Sequence, residues 1–237
     1  MIRVPFRFRE TIAIILVDDP AHSAAAKRGM IEARQVIEGY IQRDPFFKAT
    51  FDPYTPDSDE RVIITMCDAT RRAGVGPMAA VAGTIAWEGL LAMKDAGADF
   101  GVIDNGGDIA LTSDRAINVG VHAGEASLSN RIAFVVPPQD GILGVCTSSA
   151  TVGPSISFGV ADAVTIFSKN VALADAWATR VCNQIRPDDH TVFDEIDPSE
   201  VSGVFAIMGD STATWGHLPP IVRANVDERL ISAGDRL

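Results

Sequence analysis

Four short stretches carry residues whose types and spacing suit chemistry. In Ala174-Asp175-Ala176-Trp177-Ala178-Thr179 a carboxylate and a hydroxyl stand four residues apart, so a helix projects both oxygens from one face. One carboxylate and one hydroxyl, joined by backbone carbonyls and waters, form part of the oxygen shell that Mg²⁺ takes. The competing reading is a surface Asp beside a Thr bonded to its own backbone. In Ile103-Asp104-Asn105-Gly106-Gly107-Asp108-Ile109 a strand runs into a double-glycine turn flanked by carboxylates. Adjacent glycines let backbone approach a ligand closely, and Asp104 or Asp108 could orient a hydroxyl or a hydrated cation. Asn-Gly is also the strongest local signal for a plain hairpin.

The third stretch is Gly74-Val75-Gly76-Pro77-Met78-Ala79-Ala80-Val81-Ala82-Gly83. Pro77 suits a first helical position, and the N–H groups after it point out of a helix start toward an anion or a carbonyl. No Lys-Ser/Thr follows, so it is not a Walker loop; as a tight helix–helix turn its small residues would allow close packing. The fourth, Cys146-Thr147-Ser148-Ser149-Ala150-Thr151-Val152-Gly153-Pro154-Ser155, crowds hydroxyls at the end of an apolar strand, where they can grip phosphate oxygens or polar ring edges. Neither serine sits in a GxSxG elbow and no His lies close in sequence, so nucleophilic hydrolysis has little support. Cys146 reads as a small buried hydrophobe. His22, His122, His190 and His217 form neither HxxxH nor HExxH and read as surface or turn residues.

These stretches need a scaffold. Residues 3–17 are strand material, with Val4, Phe6 and Phe8 alternating with charge before a β-branched run. Asp18-Asp19-Pro20 starts a helix that Asp44-Pro45 stops. Residues 46–59 form a connector; one helix then runs to Arg72 and, after the glycine break, an Ala-rich one runs to about Ala96. Short strands follow near 100–104, 108–112, 117–123, 130–137, 141–147 and 161–168, then a helix over 170–184 and a last strand near 203–208. Consecutive short strands predict an antiparallel meander, hence an α+β fold with long helices on a mainly antiparallel sheet, expected as a single domain over 1–237.

Composition limits the partners. The chain has 237 residues with 20 Lys+Arg against 31 Asp+Glu, a net charge of −11, and 47% hydrophobic residues. That supports a real core and excludes a disordered chain. An acidic balance argues against nucleic acid, so an anionic ligand must be held by backbone N–H groups or a bridging cation. Cys67, Cys146 and Cys182 are too sparse for a disulfide frame or a zinc site. With no long apolar run, the expectation is a cytoplasmic protein without membrane contact.

Taken in order, GVGPMAAVAG, NGGD, CTSS with SISFGVADAV, and ADAWAT resemble the ApbE-like superfamily, most closely its cytoplasmic, functionally uncharacterised branch. The opening strand, the long helix ending in Tyr40-Ile41 and the Pro45-Phe46 element fit as well, so the resemblance spans roughly residues 6–210. It implies a T-fold-like α+β architecture. The best understood members are Mg²⁺-dependent flavin transferases, which cleave FAD and attach FMN to a Thr or Ser of a target protein. Carried over, their D-x-x-x-T helix implies metal ligands at Asp175 and Thr179, with a backbone carbonyl at Val75 or Gly76. The flavin site would be lined by Asn105, Gly106, Gly107 and Asp108, with Thr147, Ser148 and Ser149 contributing from the strand end.

Two positions depart from the transferases. Their His-containing segment is matched by Gly153-Pro154-Ser155-Ile156-Ser157, and their Lys-Gly…Asp element by Gly76-Pro77 and then Val81. The resemblance therefore implies a protein that binds FAD or FMN, or a related phosphorylated ligand, with Mg²⁺, its catalytic version being flavin transfer or FAD hydrolysis. The alternative is a non-catalytic accessory factor in sulfur assimilation toward homocysteine. Implied partners are a protein acceptor or sulfur-assimilation proteins, and a homodimer.

Overall fold

A computed structural model describes residues 1–152 and 159–227. The stretch Gly153-Pro154-Ser155-Ile156-Ser157, matched to the His-containing segment of the transferases, lies outside the described residues.

The chain opens with a hairpin, β1 (Ile2–Phe8) and β2 (Thr11–Val17), in place of continuous strand over 3–17. The break falls at Arg9-Glu10, with Arg9 at φ 54°, a left-handed position that no Gly or Asn announces. Helix α1 (Pro20–Arg43) is capped by Asp19, whose carboxylate accepts the Ala21 N–H at 2.8 Å, and ends ahead of Pro45. The connector contains a short helix, α2 (Phe46–Ala49). It is held by the Tyr40 hydroxyl, which accepts the Asp57 N–H at 3.1 Å, and by the Tyr54 hydroxyl, which donates to the Asp44 carboxylate. Helix α3 (Arg61–Ala73) ends at Gly74 (φ 69°); a 3-10 turn (Pro77–Ala80) then leads into α4 (Val81–Asp95).

The meander follows as β3 (Gly101–Asn105), β4 (Asp108–Ser113), β5 (Ile117–Gly120), β6 (Ile132–Val136), β7 (Gln139–Ser148) and β8 (Ala163–Ser168). Helix α5 (Val171–Gln184) is capped by Asn170 through the Leu173 N–H at 3.0 Å. The chain does not finish its sheet at β9 (Gly203–Met208). Strands β10 (Ser211–Gly216) and β11 (Ile221–Arg223) extend beyond the last strand read from the sequence.

Eight strands form one antiparallel sheet in the order β1-β2-β3-β4-β7-β8-β9-β10, and β11-β6-β5 form a second, smaller sheet. Side-chain alternation divides the core in two. Ile15, Ile103, Cys146, Ile166 and Ala206 face the helices, packing with Met30, Leu90 and Leu173. Val102, Leu111, Val145, Phe167 and Phe205 face the small sheet, where the Phe134 ring meets Phe167 edge-on at 4.9 Å and Phe205 at 5.5 Å. This is the mixed helix and antiparallel-sheet architecture expected from the strand pattern. Among the described residues no single helix is long and apolar enough to cross a membrane.

Candidate functional site

Three elements meet at the start of α4. The first is the β3–β4 turn. Asn105 and Asp108 are cross-strand partners, which puts both side chains on the helix side of the sheet with Ile103. Between them Gly106 and Gly107 sit at φ 72° and 102°, backbone angles that L side chains resist. The turn is fixed at both ends: the Gly107 N–H donates to Asp104 Oδ1 at 2.9 Å, and the Gly107 carbonyl accepts the Thr147 N–H at 3.1 Å. The second element is α4 itself, whose Ala82 carbonyl accepts from Asn105 Nδ2 at 2.9 Å.

The third is α5. Its Asp175 side chain is buried, and Oδ2 accepts the Gly83 N–H at 2.8 Å. The amides expected to point at a ligand from the Pro77–Gly83 stretch are thus met first by the chain's own carboxylate, in effect a helix cap supplied from 92 residues away. A Cβ on Gly83 would lie 2.8 Å from the Asp175 Cβ and 3.0 Å from the Val171 carbonyl, so only glycine admits this contact.

The electrostatics of this junction are one-sided. Burial pushes the Asp175 carboxyl up to about 7, against the lowering effect of the Gly83 and Ala82 amides. Asp108 is held well above the usual carboxylate range by burial first, then by the charges of Asp175 and Asp104. No basic side chain is among the groups acting on either carboxyl. Asp108 Oδ1 is buried and finds no hydrogen-bond partner. Two carboxyls that repel each other and lack a basic partner create a local demand for a cation or a proton.

The other expected residues divide by strand face and helix turn. Cys146 lies opposite Asp108 across the β4–β7 ladder and faces the helices. Its thiol contacts the Val171 carbonyl at 3.6 Å, and burial with the nearby Asp108 charge pushes it well up, which leaves it a poor nucleophile. Thr147, one residue on, points to the opposite face, where its hydroxyl meets that of Thr165 at 2.9 Å; only its backbone joins the glycine turn. Ser148 returns to the helix side and is half-buried. Ser149 accepts the N–H groups of Thr151 and Val152 at 3.0 and 2.8 Å and so organises its own turn.

Thr179 is half-buried one turn beyond Asp175, and Val75 is buried in the α3–α4 connection. That connection lies along α5, since a Cβ on Gly74 would sit 3.7 Å from the Arg180 guanidinium. Carboxylate, hydroxyl and backbone carbonyl are hard oxygen donors, and the uncompensated Asp108–Asp175 charge fits a divalent cation. Among the described residues no three His, Cys, Asp or Glu side chains gather as a metal-ligand group. Two polar depressions of about 430 and 370 Å³ lie elsewhere, at Arg43 with residues 57–60 and at Asn183 with Val192.

A sequence profile of the family described as AbpE bacteria matches residues 3–201. The chain belongs to this family. It is 68% identical to a UPF0280 protein of Methanoregula boonei over the whole of both chains. A UPF0280 protein of Methanoculleus marisnigri is 58% identical, with 99% of this chain and 96% of that one aligned. Among solved structures, the fold matches the apo flavinyl transferase ApbE of Pseudomonas stutzeri with TM-score 0.55 and 12% identity, covering 98% and 97% of the two chains. The flavin transferase ApbE of Vibrio cholerae matches with TM-score 0.53 and 12% identity, over 90% of this chain and 96% of that one. This chain therefore shares the ApbE fold.

The sequence pointed to Asp175, Asn105 and Asp108, which the fold brings together. It gave no sign of the Ala82–Gly83 backbone as their meeting point. Nothing local to either segment signals a contact across 92 residues.

Proposed function

We propose that this chain binds a flavin nucleotide, or a related phosphorylated ligand, together with Mg²⁺ at the junction of α5, the β3–β4 turn and the start of α4. The observation that carries the reading is the Asp108–Asp175 pair: two buried carboxyls, the charge of Asp175 acting on Asp108, one with an orphaned oxygen, and no basic side chain acting on either. In an acidic protein a phosphate cannot be gripped by surplus Lys and Arg, and a cation held by Asp175, Thr179 and the Val75 carbonyl removes that obstacle. When bound, Mg²⁺ supplies charge neutralisation for phosphate oxygens and a leaving phosphate. The chain's own part is positional. Asn105 ties the glycine turn to α4, Gly106 and Gly107 present bare backbone to a ligand, and Ser148 stands beside them at the end of β7. Flavin transfer to a Ser or Thr of an acceptor protein, or FAD hydrolysis, is the catalytic form of this reading.

The test is calorimetric titration of FAD and FMN with and without Mg²⁺, on wild type and Asp175→Ala. Wild type is expected to bind more tightly with Mg²⁺, and the variant to lose that gain. Equal affinity in all four comparisons removes the cation from the proposal. Incubation with FAD and a Ser/Thr acceptor protein, read by mass spectrometry for covalent FMN, decides the transfer step.

A further inference from the structure

We infer that Tyr54 and Asp44 are positioning residues for the cation site: their hydrogen bond clasps the connector between α1 and α3, whose backbone holds the Val75–Gly76 segment in place beside α5. The inference rests on the Mg²⁺ reading above, in which Val75 supplies a carbonyl ligand.

The contact that transmits the clasp is backbone on backbone. A Cβ on Gly76 would lie 2.2 Å from the Thr50 carbonyl oxygen and 2.8 Å from the Phe51 Cα, so glycine alone lets the connector come this close. Two residues earlier, a Cβ on Gly74 would sit 3.7 Å from the Arg180 guanidinium of α5. Val75 is buried between these two contacts, and its N–H donates to the Thr70 carbonyl at 2.9 Å. Mg²⁺ demands near-ideal geometry of its oxygens, so a carbonyl ligand serves it best where the backbone that carries it is already fixed.

A directional relay fixes the connector. The Tyr54 hydroxyl donates to the Asp44 carboxylate and meets the Tyr40 hydroxyl at 3.2 Å, while the Tyr40 hydroxyl accepts the Asp57 N–H at 3.1 Å. A carboxylate only accepts, so Tyr40 donates to Tyr54 and each hydroxyl gives one bond and takes one. Asp44 also accepts the Phe46 N–H at 3.0 Å, so one carboxylate binds both ends of a loop that carries Thr50 and Phe51 between them. The loop is anchored from inside by Phe47, which is buried and meets the Tyr40 ring edge-on at 4.9 Å and the Tyr54 ring at 5.5 Å. Both tyrosines of the chain are spent here.

Two measurements on the full chain test this: titration with Mn²⁺ alone, a stand-in for Mg²⁺ whose free ion is counted by electron paramagnetic resonance, and hydrogen exchange read by mass spectrometry. Wild type is expected to bind Mn²⁺, and Asp175→Ala to lose it. Tyr54→Phe keeps the ring and deletes the hydroxyl. It should weaken Mn²⁺ binding by about tenfold, the scale of one hydrogen bond to a charged group. It should also speed exchange in peptides covering 50–57 and 74–80, with those of β3 and β4 as in wild type. Asp44→Asn keeps an acceptor without the charge and should cost about threefold; if Tyr54→Phe fails to fold, this variant decides. A clasp that served stability alone would lower the melting temperature and leave Mn²⁺ affinity unchanged. That result in a folded Tyr54→Phe, with Asp175→Ala still losing the ion, overturns this inference and leaves the cation reading standing. A wild type that binds no Mn²⁺, or an Asp175→Ala that binds it equally, removes the cation reading and this inference with it.

Discussion

The Asp175 carboxylate accepts the backbone N–H of Gly83 at 2.8 Å, so that a side chain of α5 holds the first turn of α4. This one contact gives the same group two duties. It satisfies amides that the helix start leaves open, and it sets a negative charge beside Asp108.

Charge and hydrogen bonding can be separated there. Asp175→Asn keeps an oxygen acceptor for Gly83 and removes the charge, so it should unfold at or above the wild-type temperature at pH 8. Asp175→Ala removes the acceptor and should cost about 1–3 kcal/mol, the penalty of stranding buried donors. Chemical denaturation of both variants measures the difference, and only the first should remain as stable as wild type.

Stability should fall as pH rises through the weakly acidic range. Asp175 has an ordinary value of 3.8 and a folded value near 7, so between the two the folded chain keeps a proton that the unfolded chain has released. Raising the pH through that window therefore favours unfolding, by at most about 1.4 kcal/mol per pH unit for this group, and the loss levels off above pH 7. Asp108, raised in the same direction, adds to the slope. Urea midpoints from pH 4 to 8 should decline in wild type, decline less steeply in Asp108→Asn, and lose the Asp175 part of the slope in Asp175→Asn.

Gly83→Ala tests the closeness of α4 and α5 independently of charge. The added methyl meets the Asp175 Cβ at 2.8 Å and the Val171 carbonyl at 3.0 Å, neither of which is a flexible chain end. Overpacking of this kind costs about 1–3 kcal/mol, which a thermal melt reads directly. Gly39→Ala, where a Cβ meets nothing within 4 Å, is the matched control and should leave the melt unchanged or slightly raised.

The cysteines should be silent until the chain unfolds. Cys67, Cys146 and Cys182 are all buried, and burial pushes the Cys67 thiol up to about 11. Iodoacetamide at pH 8 should modify none in the native protein and all three in denaturant, counted by intact mass.

How far the sequence could be read depended on the range of the interaction. Helix α1 was legible at both ends because Asp19-Pro20 and Asp44-Pro45 act within a few residues, and the β3–β4 turn was legible through Asn-Gly-Gly. The β1–β2 hairpin was hidden because its turn rests on Arg9 in a left-handed conformation, a position where residue type gives no warning. Strand β10 was missed although Gly209-Asp210 is a hairpin signal, because its exposed threonines lack the apolar run that marks an inner strand. Asp175 and Asn105 were singled out from the sequence, yet their meeting at the Gly83 N–H and the Ala82 carbonyl is a long-range contact with no local trace. Thr147 shows a subtler limit: alternation separates it from Cys146, but a strand alone does not say which face receives the helices.

The borrowed helix cap also sets an order of events during synthesis. Helix α4 emerges from the ribosome well before residue 175 has been made, and β2 likewise waits for β3 to complete its pairing. A nascent chain halted between these points carries bare amides and an unfinished sheet, so truncations ending ahead of α5 should lean on chaperones or proteases instead of persisting as a folded half.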